Sequence, residues 1–400
     1  MNNYKIFFYI SMIGGKLLSE GGFGCVFNPS MNCNGSIDDA TFVSKIQRKD
    51  NSARNEIEIG KILSNISEYK NHFAPVISHC NIGIGQIKDK DKEKCMLFKK
   101  KKTSKYLMMK LDYVEGMEFL QYMVKNANSV QIINNIINSF NNLLRSISLL
   151  VNRKIIHYDL KGSNILYSTK KKIPIIIDFG LSINMNNIDS IDLKQVFYTY
   201  APQYYVWPLE VHYLGLLLNV NKEPTSEELK DLAKNYVINN KGINKNFSPT
   251  FLKSYEKACL DQLKIYNQMR FNERVKYLMN FWDTWDNYAL SIIYLRFLKY
   301  LALEGFYENS FIKFMGKLLL QNIHPNPNKR LSLIDTTHTF NGFLYKEQIN
   351  VESTFEELTD EFIKNKENIN KNLKKHNNND LRDTKTMKLE KRKRIKTIAI

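Results

Sequence analysis

HYDLKGSN at residues 157–164, followed by DFG at 178–180, is the stretch from which the rest of the chain is read. It sets two carboxylates (Asp159 and Asp178), the Lys161 ammonium and the Asn164 carboxamide close together in sequence. Moving a phosphoryl group needs little covalent help from a protein. It needs a group that orients an acceptor hydroxyl, positive charge on the transferring phosphoryl, and hard oxygens for a divalent cation. Asp159 can take the hydroxyl proton, Lys161 can lie against the phosphoryl oxygens, and Asn164 and Asp178 can supply metal-binding oxygens.

Working outward towards the N-terminus, KLLSEGGFGCVF at 16–27 reads as strand, glycine turn, strand, with backbone able to approach an anion. TFVSKI at 41–46 reads as a short strand carrying Lys45. Residues 51–66 have helical spacing, with Ile57, Ile59, Ile62, Leu63 and Ile66 on one face and Glu56 and Glu58 among them. YLMMKLDYV at 106–114 reads as a further strand. Beyond about 117 the pattern turns helical. Ile133, Ile137, Phe140, Leu144, Ile147 and Val151 recur at threes and fours behind Ser129, a good N-cap. NILY and PIIID read as two short strands, 219–275 as a polar helical insertion with a capping box at Thr225 and Glu228, and 286–304 as a buried helix.

The order of glycine turn, strand lysine, helix glutamate, HxDxKxxN and DFG resembles the protein kinases over about 14–335. The resemblance implies an α+β, bilobal fold: a small antiparallel N-lobe at about 14–115 with one main helix, and a larger helical C-lobe at about 116–345. Residues 1–13 would be an extension and 346–400 a charged helix and basic, disordered tail. It also implies ATP and Mg2+, or Mn2+ in its place. Asp159 and Lys161 would be catalytic, and Asn164 and Asp178 would bind the metal. Ser19, Gly21, Gly22, Phe23, Gly24 and Val26 would cover the phosphates, with Ser19 where the family has its first glycine. Lys45 would hold the α- and β-phosphates and pair with Glu56, Glu58 being the alternative. Backbone groups of Asp112 and Val114 would bind adenine, with Leu111 as gatekeeper. WPLE at 207–210 resembles the APE element, so Glu210 would form a buried ion pair with Arg330, and Asp286 would anchor the catalytic loop.

Two departures stand out. Tyr158 replaces the arginine of HRD, which normally receives an activation-loop phosphate, so activity is expected not to need phosphorylation within 181–206. Ser291 stands where the helix usually has glycine. Lys161 favours Ser/Thr acceptors. GGFGCVFNP, FAPV and YYVWPLE look most like Ser/Thr kinases of large cytoplasmic DNA viruses, which implies host cytoplasm and packaging in particles. The alternative is a catalytically inactive kinase-like scaffold, and, further off, a small-molecule or lipid kinase.

Composition bounds these readings. The 400 residues carry 58 Lys and Arg against 40 Asp and Glu, a net charge of +18. Acidic protein substrates, nucleic acid or an anionic surface suit that balance, the last two through the tail KLEKRKRIK at 388–396. IFFYISMI at 6–13 is too short to span a bilayer and no other segment reads as transmembrane, which points to a soluble, cytosolic chain. Cys25, Cys33, Cys80, Cys95 and Cys259 show no CxxC pair; their odd count and the lack of a secretory signal give the expectation of reduced thiols, with a zinc or disulfide cluster among the first four as the alternative.

Overall fold

The computed structural model describes residues 16–20, 24–31, 33, 40–83, 93, 95–99, 105–124, 129–244, 246–303, 309–346, 371 and 375. The readings of the 1–13 extension, of Gly21, Gly22 and Phe23, and of the charged helix beyond 346 lie outside these residues. So does the reading of the tail at 388–396. The chain divides into two compact units, one formed by residues 1–115 with 177–181 and the other by 116–176 with 182–400.

The first unit is built on a five-stranded antiparallel sheet in the order β1-β2-β3-β5-β4. These strands are β1 (Lys16–Glu20), β2 (Gly24–Asn28), β3 (Phe42–Arg48), β4 (Val76–Ile82) and β5 (Tyr106–Asp112). Alternation along the strands sorts the side chains to two faces. Cys25, Phe27, Ile46, Tyr106 and Met108 join Phe98 in one apolar cluster. Val43, Leu107, Met109 and Leu111 join Ala53 and Ile57 of helix α1 (Asn51–Leu63) in the other. Asp50 caps α1 by accepting from the Ala53 N–H at 3.0 Å. Gly24 is required by packing: a Cβ there would stand 2.0 Å from the Ile46 carbonyl oxygen.

Two disulfides close this unit, Cys25–Cys95 and Cys33–Cys80. They overturn the expectation of reduced thiols for these four residues. The expectation rested on the odd cysteine count and the lack of a secretory signal, whereas the partners are 70 and 47 residues apart and meet only once the sheet has formed. Both bonds involve the β2 region, Cys25 within the strand and Cys33 just after it. Cys259 stays a free, buried thiol, and burial raises its pKa well above the ordinary value.

The second unit is mainly helical. Its small sheets are β6 (Gly116–Glu118), β8 (Ile165–Ser168) and β9 (Ile173–Ile176) in the order β6-β8-β9, and β7 (Ile155–Ile156) paired with β10 (Ile183–Asn184). The long helix Ser129–Asn152 and the helix Trp285–Leu303 supply its centre. Phe140 packs edge-on against Tyr294 and Phe340, and Ser139 hydrogen-bonds the Tyr294 hydroxyl at 2.7 Å. The stretch read as an insertion forms three helices, Ser226–Asn239, Pro249–Asn267 and Phe271–Met279, the first opened by the Thr225–Glu228 capping box. The buried Arg274 guanidinium donates to the carbonyls of Lys222, Asn267 and Met269 and ties these helices to the turn before them. Helices at Leu209–Asn219, Ser310–Asn322 and Leu333–Lys346 were not read from the sequence. No helix among the described residues is long and apolar enough to cross a membrane.

Candidate active site

In the first unit, β3 and α1 deliver Lys45 and Glu56 to one point. Lys45 Nζ lies 2.6 and 2.8 Å from the two Glu56 carboxylate oxygens and 3.0 Å from Asp178 Oδ1. Burial works to lower the Lys45 pKa, but Asp178 and Glu56 outweigh it and hold the ammonium above its ordinary range. Glu56 is buried, while Glu58 is exposed and pairs with Lys61. Helical phase separates them: two residues apart on a helix, they face different sides.

Asp178 reaches Lys45 because residues 177–181 are held on α1. Ser52 Oγ donates to the Gly180 carbonyl at 3.0 Å, and Phe179 packs edge-on against Phe73. Gly180 fits there for want of a side chain, since a Cβ would come 2.7 Å from Ser52 Oγ. Asp178 itself has φ 65°, a left-handed conformation that a carboxylate residue tolerates better than most. At the end of β5 the Asp112 carboxylate accepts from Lys70 Nζ at 2.9 Å and from the Tyr69 hydroxyl at 3.2 Å, contacts with no sequence signal. Leu111 beside it is buried and Val114 is half-buried. Ser19 lies on exposed β1 opposite Val26, which packs towards α1.

In the second unit, the loop after β7 gathers Asp159, Lys161 and Asn164. Lys161 Nζ donates to Asp159 Oδ1 at 2.9 Å, and Asn164 Nδ2 donates to Asp159 Oδ2 at 3.1 Å and to its carbonyl at 2.8 Å. All three side chains are buried. Asp286 fixes the loop from below: its carboxylate accepts the backbone N–H of His157 at 2.6 Å and of Tyr158 at 3.1 Å. Burial raises the Asp286 pKa, against His157 and those two N–H groups, which favour the charged form.

Tyr158 takes φ 66°, and its ring stacks on Trp207 at 4.6 Å and meets Phe197 and Trp285. Trp207 Nε1 returns a hydrogen bond to the Tyr158 carbonyl at 2.8 Å. Aromatic packing therefore joins the 157–164 loop to the 197–207 segment. Glu210 and Arg330 form a two-armed pair, Nη1–Oε1 at 2.5 Å and Nη2–Oε2 at 2.8 Å, both side chains buried, with Trp285 Nε1 donating to Glu210 at 3.1 Å. Tyr204 was not read from the sequence: its hydroxyl hydrogen-bonds Asp159 Oδ1, and Lys161 Nζ stands 3.4 Å from that hydroxyl.

The protein kinase domain model matches residues 14–208, which takes in Lys45, Glu56, Asp159, Lys161, Asn164 and Asp178 and stops short of Glu210, Asp286 and Arg330. Serine/threonine-protein kinase Nek8 of Danio rerio is 28% identical over 176 residues, 42% of this chain. The chain covers 21% of that relative's length. The domain match and the relative make the N-terminal half of this mixed α+β chain, with its N-terminal antiparallel sheet, similar to eukaryotic-type protein kinases.

Proposed function

We propose that the chain transfers the γ-phosphoryl group of ATP to Ser or Thr hydroxyls of protein substrates. The observation that carries this reading is the buried Asp159 carboxylate with Lys161 on one oxygen and Asn164 on the other. A lone buried aspartate would be costly. One held by an ammonium and an amide is set in orientation, as a proton acceptor for an alcohol must be. The Lys45–Glu56 pair suits the phosphates of ATP, because a lysine fixed by a buried glutamate keeps its charge in place.

Each of the two residues proposed to hold a divalent cation has a hard oxygen to give. Asp178 offers a carboxylate, and Asn164, its Nδ2 committed to Asp159, offers its amide oxygen. Few oxygens of this kind, with water and phosphate completing the shell, fit Mg2+, with Mn2+ as a substitute. The cation would neutralise charge on the phosphates. Asp159 would orient the acceptor and take its proton, and Lys161 would offset charge on the transferred group.

A protein acceptor is supported by the domain match, and Ser/Thr preference by Lys161 and the Nek8 similarity. The test is radiolabelled ATP with casein as acceptor. Wild type should label it, and Asp159→Ala and Asp178→Ala should not. A wild-type signal no higher than Asp159→Ala would favour the inactive scaffold, a reading to which the closed-in Asp159 gives some weight.

A further inference from the structure

We propose that Tyr204 is an acceptor gate: its phenol holds the place on Asp159 that an incoming alcohol must take, so transfer to a protein substrate begins with displacement of that phenol. The inference rests on the kinase reading above. Asp159 Oδ1 is shared by Lys161 Nζ at 2.9 Å and the Tyr204 hydroxyl, and Oδ2 by Asn164 Nδ2 at 3.1 Å. The Asp159 side chain is 0% exposed. An acceptor hydroxyl has to come within about 2.6–3.2 Å of this carboxylate. With Lys, Asn and Tyr around it and no surface open to solvent, one group must leave first.

Chemistry selects which. Lys161 neutralises charge and Asn164 offers an oxygen to a cation, so both stay. Tyr204 brings neither a charge nor a ligand for magnesium. Its hydroxyl does to Asp159 what a substrate alcohol does, donating one hydrogen bond to a carboxylate oxygen. It also lies 3.4 Å from Lys161 Nζ, so its departure opens the base and the ammonium together. The phenol is carried on a short turn, with the Tyr204 N–H bonded to the Ala201 carbonyl at 2.9 Å and the Trp207 N–H to the Tyr204 carbonyl at 3.2 Å. Its ring rests edge-on against Trp207 at 4.9 Å. Tyr204 is itself 1% exposed, so clearing Asp159 requires this side chain to leave a packed position. A gate of this kind favours acceptors that bring docking contacts of their own over isolated hydroxyls.

The experiment uses the full chain with Mg-ATP and casein. Tyr204→Phe keeps the ring and its Trp207 contact and removes the competing hydroxyl. It should raise kcat/KM for casein by about tenfold, the scale of one hydrogen bond to a charged group, through a lower casein KM and an unchanged ATP KM. Tyr204→Ala leaves a phenol-shaped space, and added p-cresol should inhibit that variant in competition with casein while sparing wild type. Failure of cresol to inhibit a folded Tyr204→Ala would count against the gate. So would a Tyr204→Phe value equal to or below wild type while Asp159-dependent labelling by wild type is intact, and that outcome leaves the kinase reading standing. No labelling by wild type or by Tyr204→Phe would remove both.

Discussion

At the scale of single residues, charge accounting decides which substitutions are costly. Lys45 stands between Glu56, which is buried, and Asp178. Lys45→Met should lower casein labelling by about a hundredfold or more, as loss of one preorganised charge does, and should also lower the melting temperature because the buried Glu56 carboxylate loses the ammonium that offsets its charge. Adding Glu56→Gln should restore much of the melting temperature and none of the activity, measured by thermal unfolding beside the labelling assay. His212 supplies a pH prediction. It is fully buried, touches the rings of Trp207 and Tyr236, and is pushed by burial from 6.5 down to about 3, the Trp207 backbone offsetting part of the shift. The unfolded chain binds a proton at this site below about 6.5 and the folded chain does not until about 3. The contribution of His212 to stability is therefore complete above 6.5 and is lost as the pH falls towards 3, at up to about 1.4 kcal/mol per pH unit. The stability of wild type relative to His212→Phe should fall across pH 6 to 4 in denaturant titrations; parallel curves would reject it.

At the scale of elements, the Glu210–Arg330 pair joins the start of one helix to the approach of another. Breaking it should cost more than any single helix cap. Arg330→Ala should destabilise the chain by about 3–5 kcal/mol, because it strands a buried carboxylate, while Glu210→Gln with Arg330→Met should recover part of the loss. Denaturant midpoints of the three variants check this. The same scale shows what a reader of the sequence could see. Strands β1, β2, β3 and β5, helix α1 and the two long central helices were legible because their apolar residues keep one period and their ends carry caps or glycine. Strand β4 was not, because VISHCNI buries only its two ends and alternates too little to announce itself. Leu209–Asn219 was missed for the opposite reason: it is buried nearly all round, and an apolar run without a polar face has no phase. Ser291, read as a departure from glycine, is accommodated by hydrogen bonding, its Oγ donating to the Asn287 carbonyl at 2.8 Å and accepting from Asn322 Nδ2 at 3.1 Å.

At the scale of the whole molecule, the residues expected to do chemistry fall into two sets. Lys45, Glu56 and Asp178 meet in one compact unit; Asp159, Lys161, Asn164, Glu210, Asp286 and Arg330 belong to the other. The motifs were legible because each is short and contiguous. Tyr204 and the disulfides were not, since a tyrosine in YYVW looks like any core aromatic and cysteines 70 residues apart carry no local mark. The two bonds fall in the first unit, and the free Cys259 lies in the second. Each bond should contribute about 2–4 kcal/mol. Reduction, or replacement of both Cys25 and Cys95 by serine, should therefore lower the melting temperature markedly while Cys259→Ser leaves it within a degree or two, with the thiol count checked by mass. The practical corollary concerns how the chain is produced. Cys25 lies in β2, so material made in a thiol-rich bacterial cytosol would reach the bench with that strand untethered from Cys95. A stability or ligand affinity measured on such material would belong to the reduced form, and a preparation matured with a disulfide isomerase is the one whose numbers describe the molecule seen here.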